Sequence, residues 1–210
     1  MSDSVVAGKL AVIGTIKDGI TIGMKNLGPI LVNVLLWAVT VWIPYLNVGT
    51  TIGLTVGIVT KAARGEIIPM TEIFDSKYRK YMGEYFLTSG LVGIGVAVGT
   101  FFFFIPGIVI CLAWSLSVLL VVDKGKNPTE ALVLSNNCTY GYKWKMVGIY
   151  FLVGLVLFVA MAILAVISAN IYNDAIRFIL GLLVFCVSIF GIFVFIGLQA
   201  SIYKQLCDGV

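Results

Sequence analysis

The residues of this chain whose types could perform chemistry are few and scattered. The sequence contains no His, no paired carboxylates within an apolar stretch, no glycine-rich phosphate loop and no metal-ligand spacing. Asp123 stands beside Lys124 and Lys126 at the end of an apolar stretch, which favours a solvated ion pair over a general acid or base. We therefore predict no enzymatic activity, no catalytic residue, and no cofactor or metal ion.

A second polar group lies inside an apolar stretch and consists of Asn47, Thr51 and Thr55. The spacing of four residues places the two hydroxyls on one face of a helix. One interpretation is that these side chains line a wet path through the membrane. The other, which we favour, is that each Thr hydroxyl bonds to a carbonyl of its own helix, as is common in membrane helices.

Glycines spaced four residues apart share the same stretch, at Gly49, Gly53 and Gly57. Such glycines form a flat face on a helix, against which another backbone can pack closely. Gly95 and Gly99 repeat the spacing in a later stretch. If the first of these faces joins two copies of the chain, Gly53→Leu should disrupt their assembly.

Long apolar helices must position these residues. The AVILMFWYC set makes up 60% of the chain and DEKR only 11%, whereas a soluble domain carries about 25% charged residues. A helix needs roughly 20 apolar residues to cross a bilayer, with about 17 as the short limit. Six stretches approach this length, and the first, second and fourth are at or below the limit: 28–43, 46–62, 86–104, 107–122, 146–168 and 176–200.

The basic residues predict the orientation of these stretches. Of the 14 Lys and Arg residues, all but Arg177 fall in segments that would face one side of the membrane. We therefore predict a multi-pass protein of a cell inner membrane with both termini cytoplasmic. A re-entrant hairpin at 28–62 is an alternative, because its two ends would still lie on the same side. Lys9, Lys17 and Lys25 interrupt the first segment, so we expect no cleavable signal peptide.

The expected architecture is a single all-α membrane domain over residues 1–210. It contains about six transmembrane helices arranged as three hairpins, with amphipathic cytoplasmic helices between them. The expected parts are an N-terminal interfacial segment 1–27, hairpins 28–62, 86–122 and 146–200, cytoplasmic loops 63–84 and 123–145, and a tail 201–210.

The first cytoplasmic loop has the pattern of a helix lying in the membrane interface. Its aromatic face consists of Phe74, Tyr78, Tyr81 and Tyr85. The opposite face, expected to point to water, holds Glu72, Asp75, Ser76 and Arg79. In the second loop, Asn127, Pro128 and Glu130 form a helix start signal.

Landmarks recur at a distance of about 60 residues along the chain. The first copy contains Ile43-Pro44, Arg64-Gly65, Pro69 and Tyr85-Phe86-Leu87, and the second contains Ile105-Pro106, Lys124-Gly125, Pro128 and Tyr150-Phe151-Leu152. Because each hairpin enters from the same side, the repeat is parallel, with its axis along the membrane normal.

The second copy resembles a known group of proteins. The residues that carry the resemblance are Pro106-Gly107, Val121-Val122-Asp123-Lys124-Gly125, Pro128, Glu130-Ala131-Leu132, Ser135 and Gly141. The pattern is similar to bacterial inner-membrane proteins of the YciC type, and to the membrane portion of some glycerophosphodiester phosphodiesterases. The resemblance implies a multi-pass α-helical protein with cytoplasmic loops. It implies no activity, because this sequence has no counterpart of a phosphodiesterase catalytic domain.

Two classes of function agree with this sequence. The first, which we favour, is a non-enzymatic structural or organising protein that contacts membrane lipids and their anionic head groups at the cytoplasmic face. The second is a homo-oligomeric channel or transporter for ions or small solutes. A carrier coupled to ions is disfavoured because the apolar stretches carry no charged residue away from their ends, where Lys61 and Arg177 lie. No nucleic-acid partner is expected.

Overall fold

The computed structural model describes residues 10–207, so that Lys9 and the last residues of the expected tail lie outside the described part. These residues form helices joined by turns, with no strand among them. The helices are α1 Val12–Lys25, α2 Leu27–Thr40, α3 Pro44–Ile52, α4 Ile58–Arg64, α5 Lys77–Lys80, α6 Met82–Phe102, α7 Phe104–Trp114, α8 Ser117–Lys124, α9 Pro128–Thr139, α10 Lys143–Ala169 and α11 Asp174–Cys207. A π-helical segment, Gly53–Gly57, joins α3 to α4, and a 3₁₀ turn, Glu72–Phe74, precedes α5.

Four segments are long and apolar enough to cross a membrane: α6, the pair α7 and α8 taken together as Phe104–Lys124, α10 and α11. A fifth is added only if α1 and α2, which meet at an angle of 71°, count as one broken span. The prediction of an all-helical chain with several helices long and apolar enough to span a membrane is confirmed. The first two of the six expected spans fall in α2 and in α3–α4, outside the four.

The four candidate spans form two antiparallel hairpins. The first consists of α6 followed by α7 and α8, and the second consists of α10 and α11. In the α6–α7 hairpin, a Cβ added to Gly99 would lie 3.2 Å from the Gly107 Cα, so the helices touch backbone to backbone. In the α10–α11 hairpin, Tyr150 donates a hydrogen bond to Gln199 at 2.7 Å. Helix α11 has 34 residues, or about 51 Å at 1.5 Å per residue, and exceeds the roughly 30 Å of bilayer hydrocarbon.

Glycines with positive φ end two helices at matching places in the proposed repeat. Gly65 (φ 70°) follows α4, and Gly125 (φ 62°) follows α8. A left-handed residue after a helix is most easily glycine, because it lacks a Cβ. Helix α9 then begins at Pro128, where the sequence predicts a helix start, although Asn127 makes no side-chain cap bond.

The core lies at one end of the bundle. We call this the basic end and define it by Arg64, Lys124, Lys143 and Lys204. Buried apolar residues from α4, α8, α9 and the last turns of α11 form most of it. The far parts of α10 and α11 contribute little, because Phe158, Ile163, Phe178, Phe185 and their neighbours are exposed. The fold is therefore a packed base from which apolar hairpins project.

Candidate functional site

The glycine face of the first hairpin consists of Gly49, Gly53 and Gly57. It is covered by residues 66–80 of the same chain, which we call the covering segment. A Cβ on Gly53 would lie 2.6 Å from the Ile73 Cα, and one on Gly49 would lie 3.1 Å from the Arg79 Cγ. A Cβ on Gly57 would overlap the Tyr78 hydroxyl. Within one copy of the chain this face is already occupied, so the groove expected between two copies is not open.

The covering segment meets an irregular turn of helix. Residues Gly53–Gly57 are π-helical, a rare geometry that is frequent at functional sites. About 60 residues later, the helix is interrupted between α7 and α8, and α9 returns to pack against this break. There Ser135 donates to the Ala113 carbonyl at 2.7 Å and accepts a bond from the Leu116 N–H at 3.2 Å.

Glu72 lies at the centre of the covering segment, with only 2% of its side chain exposed. Its carboxylate is 2.6 Å from the Lys61 Nζ and 3.3 Å from the Lys77 Nζ, and it accepts a hydrogen bond from the Tyr78 hydroxyl. Burial acts to raise the pKa of the Glu72 carboxyl. The hydrogen bonds from Lys61 and Tyr78 and the charge of Lys77 outweigh burial, so the pKa lies below its ordinary value of 4.5.

The interfacial helix expected in this loop is not one helix. The four aromatic residues assigned to it are distributed over the 3₁₀ turn, α5, the residue before α6 and the first turn of α6: Phe74, Tyr78, Tyr81 and Tyr85. Tyr78 is buried in the core, and the other three are half-buried against it. The prediction that Glu72 points to water was wrong, because Lys61 and Lys77 compensate its charge inside the fold. Helical periodicity within one segment carries no information about such partners.

The predicted polar path forms a set of bonds within the first hairpin. The Thr51 hydroxyl donates to the Asn47 Oδ1 at 2.9 Å and accepts a bond from the Trp37 Nε1 at 2.9 Å. The Thr55 hydroxyl donates to the Thr51 carbonyl at 2.8 Å. The bond from Trp37 joins α2 to α3, and the other two lie within the segment of α3 and the π-helical turn.

Asn33 is a site residue that sequence reasoning missed. Its side chain is fully buried and joins α2 to the covering segment. The amide donates to the Pro69 carbonyl at 2.9 Å, and its oxygen accepts a bond from the Ile73 N–H at 3.1 Å. An amide in an apolar stretch was the only available signal, because a buried polar group requires partners.

Gly95 and Gly99 pack within the α6–α7 hairpin. A Cβ on Gly95 would overlap the Trp114 ring, and one on Gly99 would lie 2.8 Å from the Ile110 Cδ1. These two glycines therefore serve a contact between helices adjacent in sequence.

Asp123 is not the solvated residue that the sequence predicts. Only 4% of its side chain is exposed, and it lies 2.7 Å from the Arg64 Nη2. The Tyr203 hydroxyl donates a bond to it at 2.7 Å. This cluster joins α4, α8 and α11. The sequence suggested Lys124 and Lys126 as the partners of Asp123, because Arg64 and Tyr203 are distant along the chain.

Helix α1 packs along α11 through Gly19 and Gly23. A Cβ on Gly19 would lie 2.9 Å from the Leu198 Cα, and Gly23 lies against the Phe193 carbonyl. The polar edge of the contact includes a 2.8 Å bond from the Ser201 hydroxyl to Asp18. The N-terminal segment, expected at the membrane interface, is thus also part of the protein core.

A cavity of about 460 Å³ opens beside these contacts. It lies between the α1–α2 bend, the turn after α4 and the last turns of α11, and we call it the basic cavity. Its charged lining consists of Lys25, Arg64, Lys204 and Glu66. Glu66 lies 2.9 Å from the Arg64 Nε. In the part of the chain that the structure describes, no carboxylate pairs with Lys25 or Lys204.

A second groove lies on the projecting α10–α11 hairpin. It has a volume of about 490 Å³ and a mostly apolar lining that includes Gly154, Leu157, Ser188, Gly191 and Phe195. The two openings differ in chemistry, since the groove offers contacts to hydrocarbon and the basic cavity offers positive charge to an anion.

Comparison with known proteins adds no relative. The chain matches no protein-family model, and no curated protein or solved structure is similar to it. Within residues 10–207 no group of three or more Cys, Asp or Glu is arranged to hold a metal ion. The arrangement of charges is therefore the feature from which we argue function.

Proposed function

We propose that this protein is a non-enzymatic, multi-pass protein of a cell inner membrane that organises lipids at the cytoplasmic face. The observation that carries the proposal is the separation of two surfaces. Apolar side chains project on the hairpins, as at Phe178 and Phe185. At the basic end, Lys143 begins α10, and the last turns of α4, α8 and α11 carry Arg64, Lys124 and Lys204. Hydrocarbon covers the first surface, and anionic head groups at the inner leaflet match the second.

In this proposal both termini lie on the cytoplasmic side, and the chain is built from three hairpins in a parallel repeat. The two glycine turns and the two returning segments support the repeat. The first hairpin is re-entrant rather than fully spanning. Arg79 lies against Gly49, close to the tip of that hairpin, and a charged side chain there favours a shallow position. Membership of the YciC-type group is part of the proposal and rests on the sequence motif.

The lipid composition of the purified particle tests the function. The protein would be extracted in mild detergent, and the bound lipids would be compared with those of the source membrane. We expect anionic lipids to be enriched over neutral ones. Bound lipids in the proportions of the source membrane would contradict the proposal.

The alternative of a homo-oligomeric channel or transporter gains no support from the residues first assigned to it. The glycine face packs against its own chain, and Thr51 and Thr55 bond within one hairpin. Light scattering on the same particle decides between the two functions. A monomer agrees with the organising role, whereas a symmetric oligomer would direct attention to solute flux.

A further inference from the structure

The basic cavity combines several features of an anion site. The α1–α2 bend of 71° brings Lys25 to the same opening as Arg64 and Lys204. Three cations and one carboxylate line the cavity, which leaves its wall positive. We infer that the basic cavity binds the phosphate group of an anionic membrane lipid. This inference rests on the proposed function and names the place where it would be carried out.

The three cations are not equivalent. Arg64 is engaged by the buried Asp123 at 2.7 Å and by Glu66 at 2.9 Å, so its charge is largely compensated. Lys25 and Lys204 have no such partner among the described residues and are exposed at the opening. A lysine ammonium is a flexible point charge that suits phosphate. The two lysines therefore supply the charge for the ligand, and Arg64 fixes the wall behind it.

The start of one helix also lies beside the cavity, where the last turns of α1, α4 and α11 meet. Helix α2 has 14 residues and begins at Leu27, beside Asn26 and Pro29 in the cavity lining. No side chain caps its first turn. The N–H groups at the start of a helix carry partial positive charge and favour an anion.

Apolar residues beside the cavity favour a lipid over a soluble phosphate. Ile67 lines the opening and is 91% exposed, and Ile22 and Pro29 line it as well. Met24 and Met70, close to these in sequence, are also exposed. A large apolar side chain is more stable against acyl chains than in water. A lipid places its phosphate at the lysines and its chains over this rim.

A purely structural role for the cations makes a different prediction. Lys25, Arg64 and Lys204 occur in the last turns of α1, α4 and α11, where positive charge offsets the helix dipole. Loss of such a role lowers stability in every lipid. It does not alter the preference for one head group over another.

The test compares K25Q/K204Q with K80Q/K145Q in the full-length protein. Both variants lose two exposed lysines, but Lys80 and Lys145 lie outside the cavity lining. Each protein would be reconstituted in phosphatidylcholine vesicles with labelled phosphatidylglycerol, and lipid proximity would be followed by energy transfer. We expect about a tenfold loss of phosphatidylglycerol preference in the cavity variant, and little change in the control.

The other outcomes separate the site from the function. Equal losses in the two variants would overturn the cavity as the site and leave a diffuse lipid preference, so the proposed function would stand. No preference in the unmodified protein would overturn both. Glycerol phosphate added to the vesicles should not compete at millimolar concentration, and efficient competition would assign the cavity to a soluble phosphate ester instead.

Discussion

The covering segment of residues 66–80 and the far part of the α10–α11 hairpin are held in opposite ways. The covering segment is polar and short of regular helix, yet its side chains are fixed by the chain itself, as Tyr78 and Glu72 show. The hairpin is regular and apolar, yet most of its side chains are exposed. The exposed apolar side chains of the hairpin thus mark the surface that lipid covers, whereas the buried charge of Glu72 marks a place where protein packs on protein.

The largest expected difference between the two regions is in the free energy of unfolding that is lost when a matched isoleucine is replaced by alanine. Ile73 is 1% exposed and Ile179 is 56% exposed. We expect Ile73→Ala to lower the free energy of unfolding by about 3 kcal/mol, because it leaves a cavity in the core. Ile179→Ala should cost under about 0.5 kcal/mol, since lipid fills the space. Thermal unfolding in nanodiscs measures both, and equal losses would contradict the comparison.

Matched glycines test the same contrast by adding volume. Gly53→Leu places atoms where the Ile73 backbone lies, and we expect a loss of about 2 kcal/mol in the free energy of unfolding. Gly181 has no atom within 4 Å of an added Cβ, so Gly181→Leu should be neutral. The same unfolding assay gives the values. If Gly53→Leu changed the particle mass but left the stability unchanged, the glycine face would instead be a contact between subunits.

Lowering the pH should destabilise the covering segment, because Glu72 becomes protonated there. The pKa of Glu72 lies below 4.5 in the folded state, so its contribution to stability is complete above pH 4.5 and is lost as the pH falls through the folded pKa. At neutral pH, Glu72→Gln should lower the free energy of unfolding by about 1.5 kcal/mol, because it removes the charge facing two lysines. The variant should also lose part of the acid dependence. Asp174→Asn, at the exposed tip of the hairpin, is the control, and an equal flattening there would remove Glu72 as the cause.

Matched serines give the smallest expected difference. Ser135 joins α9 to the break between α7 and α8 through two buried bonds, and Ser135→Ala should cost about 1 kcal/mol. Ser188 is exposed on α11 and bonds to the carbonyl of its own helix, so Ser188→Ala should be silent. Amide hydrogen exchange at Leu116 provides a second readout. Unchanged protection there in Ser135→Ala would show that the hydroxyl does not hold this break.

The sequence predicts the features that depend on local patterns. Apolar stretches locate α6 to α8 and the α10–α11 hairpin, and the motif before Pro128 locates the start of α9. The glycine spacing predicts a close approach at Gly53, but not its partner. Whether the partner is a second copy or the same chain depends on the return of residues 66–80, which no periodicity encodes.

The polar contacts between distant segments were beyond the sequence. Asp123 pairs with Arg64 and Tyr203, although Lys124 and Lys126 are its neighbours along the chain. The basic cavity also required the structure, because Lys25 and Lys204 come from opposite ends of the described chain. The distribution of basic residues along the sequence predicts that Lys25 and Lys204 lie on the same side of the membrane. The bend between α1 and α2 then brings both lysines to the opening of the basic cavity.

The packing of α1 on α11 has a consequence for biosynthesis. Thr15 donates a hydrogen bond to Gln205, 190 positions later in the chain. At the usual speed of a ribosome, α1 waits on the order of ten seconds or longer before its partner is made. During that time the side of α1 that carries Gly19 and Gly23 is not covered by α11, so this part of the core can form only late in synthesis.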